Sequence, residues 1–109
     1  MESAATDAPV VTDNPAANRY ELHVGDELAG LVNYRLDDHD KVIDLVHTEV
    51  KPAFQHAHLG TRLARFSLDD ARKRGLAVLP YCPYITSWIK KHPEYIDLVP
   101  QDRRADFRL

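Results

Sequence analysis

The chain has 109 residues, 44% of them hydrophobic and 28% charged, enough for one folded domain with a real core and too apolar for a disordered segment. Its 14 basic and 17 acidic residues leave a net charge of −3, which excludes a polybasic protein, so neither a nucleic-acid nor a membrane partner is expected. The single cysteine, Cys82, precludes an internal disulfide or a cysteine-built zinc cage; with no secretory signal and no apolar run near the ~18 residues of a membrane span, a cytoplasmic monomer or weak dimer is expected.

Residues 1–18, with Pro9 and Pro15 and no periodic apolar pattern, read as a flexible leader. Regular structure is predicted from Arg19, where Tyr20, Leu22 and Val24 alternate with polar residues as in a half-buried strand. Gly25-Asp26 turns the chain into a second alternating run, Leu28 to Leu36. A polar loop, residues 37–41, then leads to a third run over Val42–Val50, whose β-branched start is apolar on both faces and is placed centrally in the sheet. Short polar turns make these three an antiparallel meander.

After Pro52 the period becomes helical. Leu59, Leu63, Phe66 and Ala71, flanked by Ala64 and Leu68, form one apolar stripe. Arg72, Lys73 and Arg74 suit the last turn and Gly75 supplies a left-handed stop. Leu76–Leu79 is a short buried strand, parallel to the third by the crossover rule. A shorter helix is predicted over Ile85–Lys91, a further turn or two up to Val99, and a charged tail over 101–109. The pattern is α+β: an antiparallel β-meander plus a βαβ crossover, a mixed sheet with one long and one or two short helices.

The chemically suggestive segment runs from Val50 to Thr61, where a strand ends, a loop follows and a helix opens with Gly60 in its first turn. Free amides at such a start converge on an anion, the helix dipole adds attraction, and glycine permits close approach. His56 and His58 offer further donors. The same pattern also suits an ordinary strand–helix connection. The histidines at 47, 56, 58 and 92 with Cys82 lack any HExxH or paired-cysteine spacing, so no metal site is expected.

The runs His47-Thr48-Glu49-Val50 and Gln55-x-x-x-x-Gly60, then Pro80-Tyr81-Cys82-Pro83-Tyr84 followed by His92-Pro93-Glu94-Tyr95, resemble the small single-domain, YjdJ-type branch of the GNAT superfamily of acyl-CoA-dependent N-acetyltransferases. The likeness covers about residues 19–99 in order and implies a minimal GNAT fold over 19–100. It implies acetyl-CoA as donor, with coenzyme A held by Thr48, Glu49 and Val50 and by Gln55, His56, Ala57, His58, Leu59, Gly60 and Thr61. His58 stands where most relatives have the first glycine of a Gln/Arg-x-x-Gly-x-Gly/Ala motif, and Gln55 replaces the usual arginine. A splay is implied between Val46–Val50 and Ala77–Tyr81, for which Pro80 gives a physical reason because it has no N–H.

Cys82 is then a candidate nucleophile at the mouth of the splay, or a packed small hydrophobe. Glu49 and His47, alternating on one face, are candidate bases for direct attack by an amine. Tyr81 and Tyr84 are read as core packing with a wet hydroxyl. Asp26-Glu27 joins two strands directly where larger relatives insert helices, so an open acceptor face suited to a peptide, protein or polyamine amine is expected. The alternative function is a non-catalytic coenzyme A or acyl-CoA binding or interaction module.

Overall fold

The computed structural model describes residues 8–109, apart from the side chains of His56 and Ala57. One five-stranded sheet runs in the order β1-β2-β3-β4-β5, with β1 Val10–Asn14, β2 Arg19–Val24, β3 Glu27–Asp37, β4 Val42–Val50 and β5 Ala77–Pro80. The first four are antiparallel neighbours and β5 runs parallel to β4, so the sheet is mixed and the fold is α+β. The third strand of the predicted meander, β4, is internal, but β3 is the middle strand.

Helix α1, Leu59–Lys73, crosses between β4 and β5 and lays Leu59, Leu63, Ala64, Leu68 and Ala71 against Tyr20, Leu22, Val32, Ile43 and Leu45. Burying such a face, at about 25 cal/mol per Å² of apolar surface, is the main stabilising contribution in a domain of this size. Phe66, predicted for the stripe, sits at its margin instead: it is partly exposed and meets the Tyr20 ring edge-on at 5.8 Å. Helix α2, Pro83–Lys91, buries Ile85, Trp88 and Ile89. Trp88 stacks on His92 at 3.8 Å and lies under the Arg65 guanidinium, tying α2 to α1.

One expectation is corrected. Of the leader assigned to 1–18, residues 1–7 lie outside the described residues, but Val10–Asn14 is the edge strand β1, paired with β2 in register from Val10↔His23 to Asn14↔Arg19. It is fastened from the helix side, where Asp13 accepts from the Tyr34 hydroxyl at 2.7 Å and lies 3.5 Å from Arg74. In the charged tail, on whose structure the sequence pattern is silent, Gln101–Phe107 is a 3-10 segment, and Phe107 and Leu109 pack at the core's margin. Both segments gain their structure from tertiary contacts that local pattern does not carry.

Candidate functional site

The site begins where two parallel strands part. β4 and β5 pair only from Val42↔Ala77 to Leu45↔Pro80. The Cys82 N–H makes the last link, to the Leu45 carbonyl at 2.9 Å, and Pro83 then opens α2 and carries the chain away. Pro80 cannot donate and β5 ends there, so β4 continues from Val46 to Val50 with β3 as its sheet neighbour and, among the described residues, no strand on its other side. The expected splay is thus on β4; β5 itself stays paired throughout.

A bulge sets which residues face the opening. The register shifts from Tyr34↔Leu45 to Asn33↔His47, leaving Val46 as the extra residue. Before it, Ile43 and Leu45 point into the core; after it, the partly buried positions are Thr48 and Val50, while His47 and Glu49 are exposed. The Lys51 N–H bonds the Ala29 carbonyl, so by antiparallel alternation Glu49 exchanges hydrogen bonds with Leu31, and the backbone groups of Thr48 and Val50 turn to the open edge. Glu49 was expected to offer backbone groups at that edge. It does not: its main chain is spent on β3 and its carboxylate lies on the opposite face, 3.6 Å from the His47 ring.

Between the open edge and the start of α1 lies a cleft of about 360 Å³, lined by Thr48, Val50, Gln55, His58, Gly60, Thr61 and Tyr84. The approach is the 3-10 segment Pro52–Ala57, which includes His56 and Ala57, and it ends at His58, in the left-handed region at φ 57. That conformation is what the loop needs to enter the helix. A histidine adopts it against a steric cost that glycine would not meet. Among the described residues no side chain caps α1 and its first turn carries no acidic residue, so the first-turn N–H groups and the positive dipole end are left for an acceptor. Gln55, expected to face a ligand, donates from Nε2 to the Val50 carbonyl at 2.9 Å, which fixes the loop to the end of β4 and uses one of the edge acceptors. Leu59 is buried against the core and contributes main chain only.

Cys82 is the residue before α2 and is 3% exposed. Its thiol donates to Thr48 Oγ1 at 3.2 Å, so the cysteine faces the open edge from the β5 side. Glu49 and His47, the candidate bases, lie across β4 from it on a sheet face to which α1 does not pack. Arg35, 3.3 Å from Asp44, and the Glu21 network share that face. The Glu21 carboxyl accepts from His23, Asn14 and Arg19, and these hydrogen bonds hold its pKa down to about 2.

Both tyrosines differ from the packed role expected of them. Tyr81 is exposed, with Phe107 edge-on at 5.3 Å and Arg103 donating to its hydroxyl. Tyr84 reaches across the cleft and lays its phenol over Gly60. Its site position was missed because the sequence shows only an aromatic at a helix start; which wall it covers depends on where α1 begins. Among the described residues there is no group of three or more metal-ligating side chains, and no helix is long and apolar enough to cross a membrane.

Residues 19–98 match the family of GCN5-related N-acetyl-transferases. Over 61 residues the chain is 31% identical to Protein NATD1 of Danio rerio, an alignment covering 54% of this chain and 56% of that protein. The match therefore spans about half the length of the curated relative.

Proposed function

The chain belongs to the GCN5-related N-acetyltransferase family, and from that premise we propose that it transfers an acetyl group from acetyl-CoA to an amine. The observation that carries this reading is the juxtaposition of an unpartnered β4 edge with an uncapped helix start across one cleft. A coenzyme A thioester has the two features that fit these walls, a diphosphate for the α1 amides and an amide-bearing arm for the backbone groups of Thr48 and the N–H of Val50. The residues therefore fit the cofactor, with His58, Gly60 and Thr61 on its anionic side.

Acetyl-CoA supplies an activated acetyl carbon. The chain's part is to hold the thioester at the divergence of β4 and β5 and to admit the amine from the uncovered sheet face. Nitrogen attack forms the C–N bond, the C–S bond breaks, and the ammonium proton passes to Glu49 or His47 on that face, while the departing thiolate takes up a proton. The exposure of both bases suits an amine on a peptide, protein or polyamine, which needs no enclosed pocket.

A second route is favoured by the position of Cys82, before the N-terminus of α2 and beside the opening. On this route the sulfur attacks the thioester carbonyl with loss of the thiol proton, coenzyme A leaves as the free thiol, and the acetyl group is then released to the amine. Calorimetric titration with desulfo-CoA, followed by turnover of acetyl-CoA with a panel of peptide and polyamine amines, tests the whole reading. Binding with free thiol release is expected. Binding without release leaves a coenzyme A binding module, and no binding defeats the reading.

A further inference from the structure

We propose that Tyr84 is a binding residue for the diphosphate of the cofactor, its hydroxyl donating beside the first-turn amides of α1; this rests on the acetyl-CoA reading above. Of the five tyrosines, Tyr20, Tyr34, Tyr81 and Tyr95 each commit their hydroxyl to a side chain, to Asp70, Asp13, Arg103 and Asp69 respectively. Tyr84 has no hydrogen-bond partner among the described residues, and it is the tyrosine that lines the cleft. A methyl at Gly60 would stand 2.8 Å from the Tyr84 hydroxyl oxygen and 3.0 Å from Cζ, so the polar tip of the ring, not its edge, covers the first turn of α1.

The base of this side chain is held firmly. Ile85 beside it is fully buried, Pro83 fixes the first turn of α2, and the Thr86 hydroxyl donates to the carbonyls of Pro80 and Cys82. Gly60, for its part, is a poorer helix former than alanine, and the seat it leaves for the phenol accounts for that cost. What results is a rim of donors, peptide N–H groups on one side and a phenol O–H on the other. Such a rim calls for a group that only accepts, and phosphate oxygens do so with charge-assisted bonds. The hydroxyl meets α1, whereas Cys82 pairs with Thr48 of β4; the geometry therefore assigns Tyr84 to the anion and not to the thioester sulfur.

The test is calorimetry of wild type and Tyr84→Phe with two probes, desulfo-CoA and 3′-phospho-ADP, the second retaining the diphosphate without the pantetheine arm. Among the described residues the hydroxyl has no hydrogen bond for its loss to break, so equal melting temperatures are expected. Loss of one hydrogen bond to a charged group predicts about tenfold or greater weakening toward both probes. Unchanged affinity, or weakening confined to desulfo-CoA, overturns the assignment. Failure of wild type to bind either probe instead defeats the acetyl-CoA reading beneath it, so the two failures are distinguishable.

Discussion

The Cys82 thiol donates to the Thr48 hydroxyl across 3.2 Å, and this contact bridges β4 and the start of α2 just beyond the last main-chain link between β4 and β5. It occupies the mouth of the splay with two small polar groups in place of apolar packing. Cys82→Ala is expected to bind desulfo-CoA within about twofold of wild type, a difference under 0.5 kcal/mol. It is also expected to lack the hydroxylamine-sensitive acetyl adduct that the cysteine route predicts for wild type with labelled acetyl-CoA. Mass spectrometry of the two proteins checks this, and an adduct persisting in the variant removes Cys82 from the chemistry.

His58 holds a left-handed backbone at φ 57 where glycine would be unstrained. Relief of about 1–2 kcal/mol of steric cost is offset by about 0.5–1 kcal/mol of extra unfolded-chain entropy. His58→Gly is therefore expected to be more stable than wild type by roughly 0.5–1 kcal/mol. A higher urea midpoint at unchanged slope checks it; a lower midpoint means the imidazole makes a stabilising contact that outweighs the strain.

The edge strand β1 hangs on Asp13, which accepts from Tyr34, beside an Asp70 that accepts from Tyr20 and Arg74. Burial, first, and these carboxylates push both tyrosine pKa values above their ordinary value of 10.0. A raised folded-state pKa contributes stability that is complete below pH 10 and lost as the pH climbs beyond it. Wild type should therefore lose stability above pH 10 more steeply than Tyr34→Phe. That variant is expected to cost about 1 kcal/mol at neutral pH for one hydrogen bond. Denaturation midpoints across the alkaline range decide it, and parallel curves contradict it.

The acid limb has the opposite sign. Hydrogen bonds from His23, Asn14 and Arg19 lower Glu21 from 4.5 to about 2, so its contribution is present above pH 4.5 and lost as the pH falls toward 2. Glu21→Gln should be less stable than wild type at pH 7 and converge on it near pH 2. Thermal melts at both pH values check this, and a gap that persists in acid assigns the effect to packing instead.

The sequence made α1 legible because one apolar stripe, a cationic last turn and Gly75 all agree on a single helix, and it made β2 to β4 legible because alternation is a local signal. β1 was not legible: Val10 and Val11 precede a polar Thr-Asp-Asn run, and what fixes them is Asp13 reaching Tyr34 and Arg74 far along the chain. The bulge at Val46 is equally silent in the sequence, yet it decides that Thr48 and Val50, not Glu49, address the cleft. The loop from Gln55 to Thr61 could be located from its motif. That Gln55 would tie down the Val50 carbonyl and that Tyr84 would cover Gly60 depended on how α1 and α2 meet.

Two glycines near the cleft should respond differently to the same substitution. A methyl at Gly30 would meet the Glu49 carbonyl oxygen at 2.9 Å, Leu63 Cδ1 at 3.0 Å and Val50 Cγ2 at 3.3 Å. The first obstacle is main chain committed to the β3–β4 ladder and the second belongs to a fully buried side chain, so neither yields without prising α1 from the sheet. A methyl at Gly60 meets only the far end of the Tyr84 side chain, which solvent can accommodate. Gly30→Ala should thus destabilise by about 1–3 kcal/mol, the usual cost of overpacking. Gly60→Ala should change stability by less than about 1 kcal/mol, since alanine's better helix propensity offsets the displaced ring. Binding inverts the order: where both variants are folded, Gly60→Ala is expected to lose more affinity for desulfo-CoA, because its methyl intrudes on the donor rim itself. Urea melts and calorimetry on the same samples check both halves, and a Gly60→Ala variant that binds as well as wild type would show that the ligand does not lie against the first turn of α1.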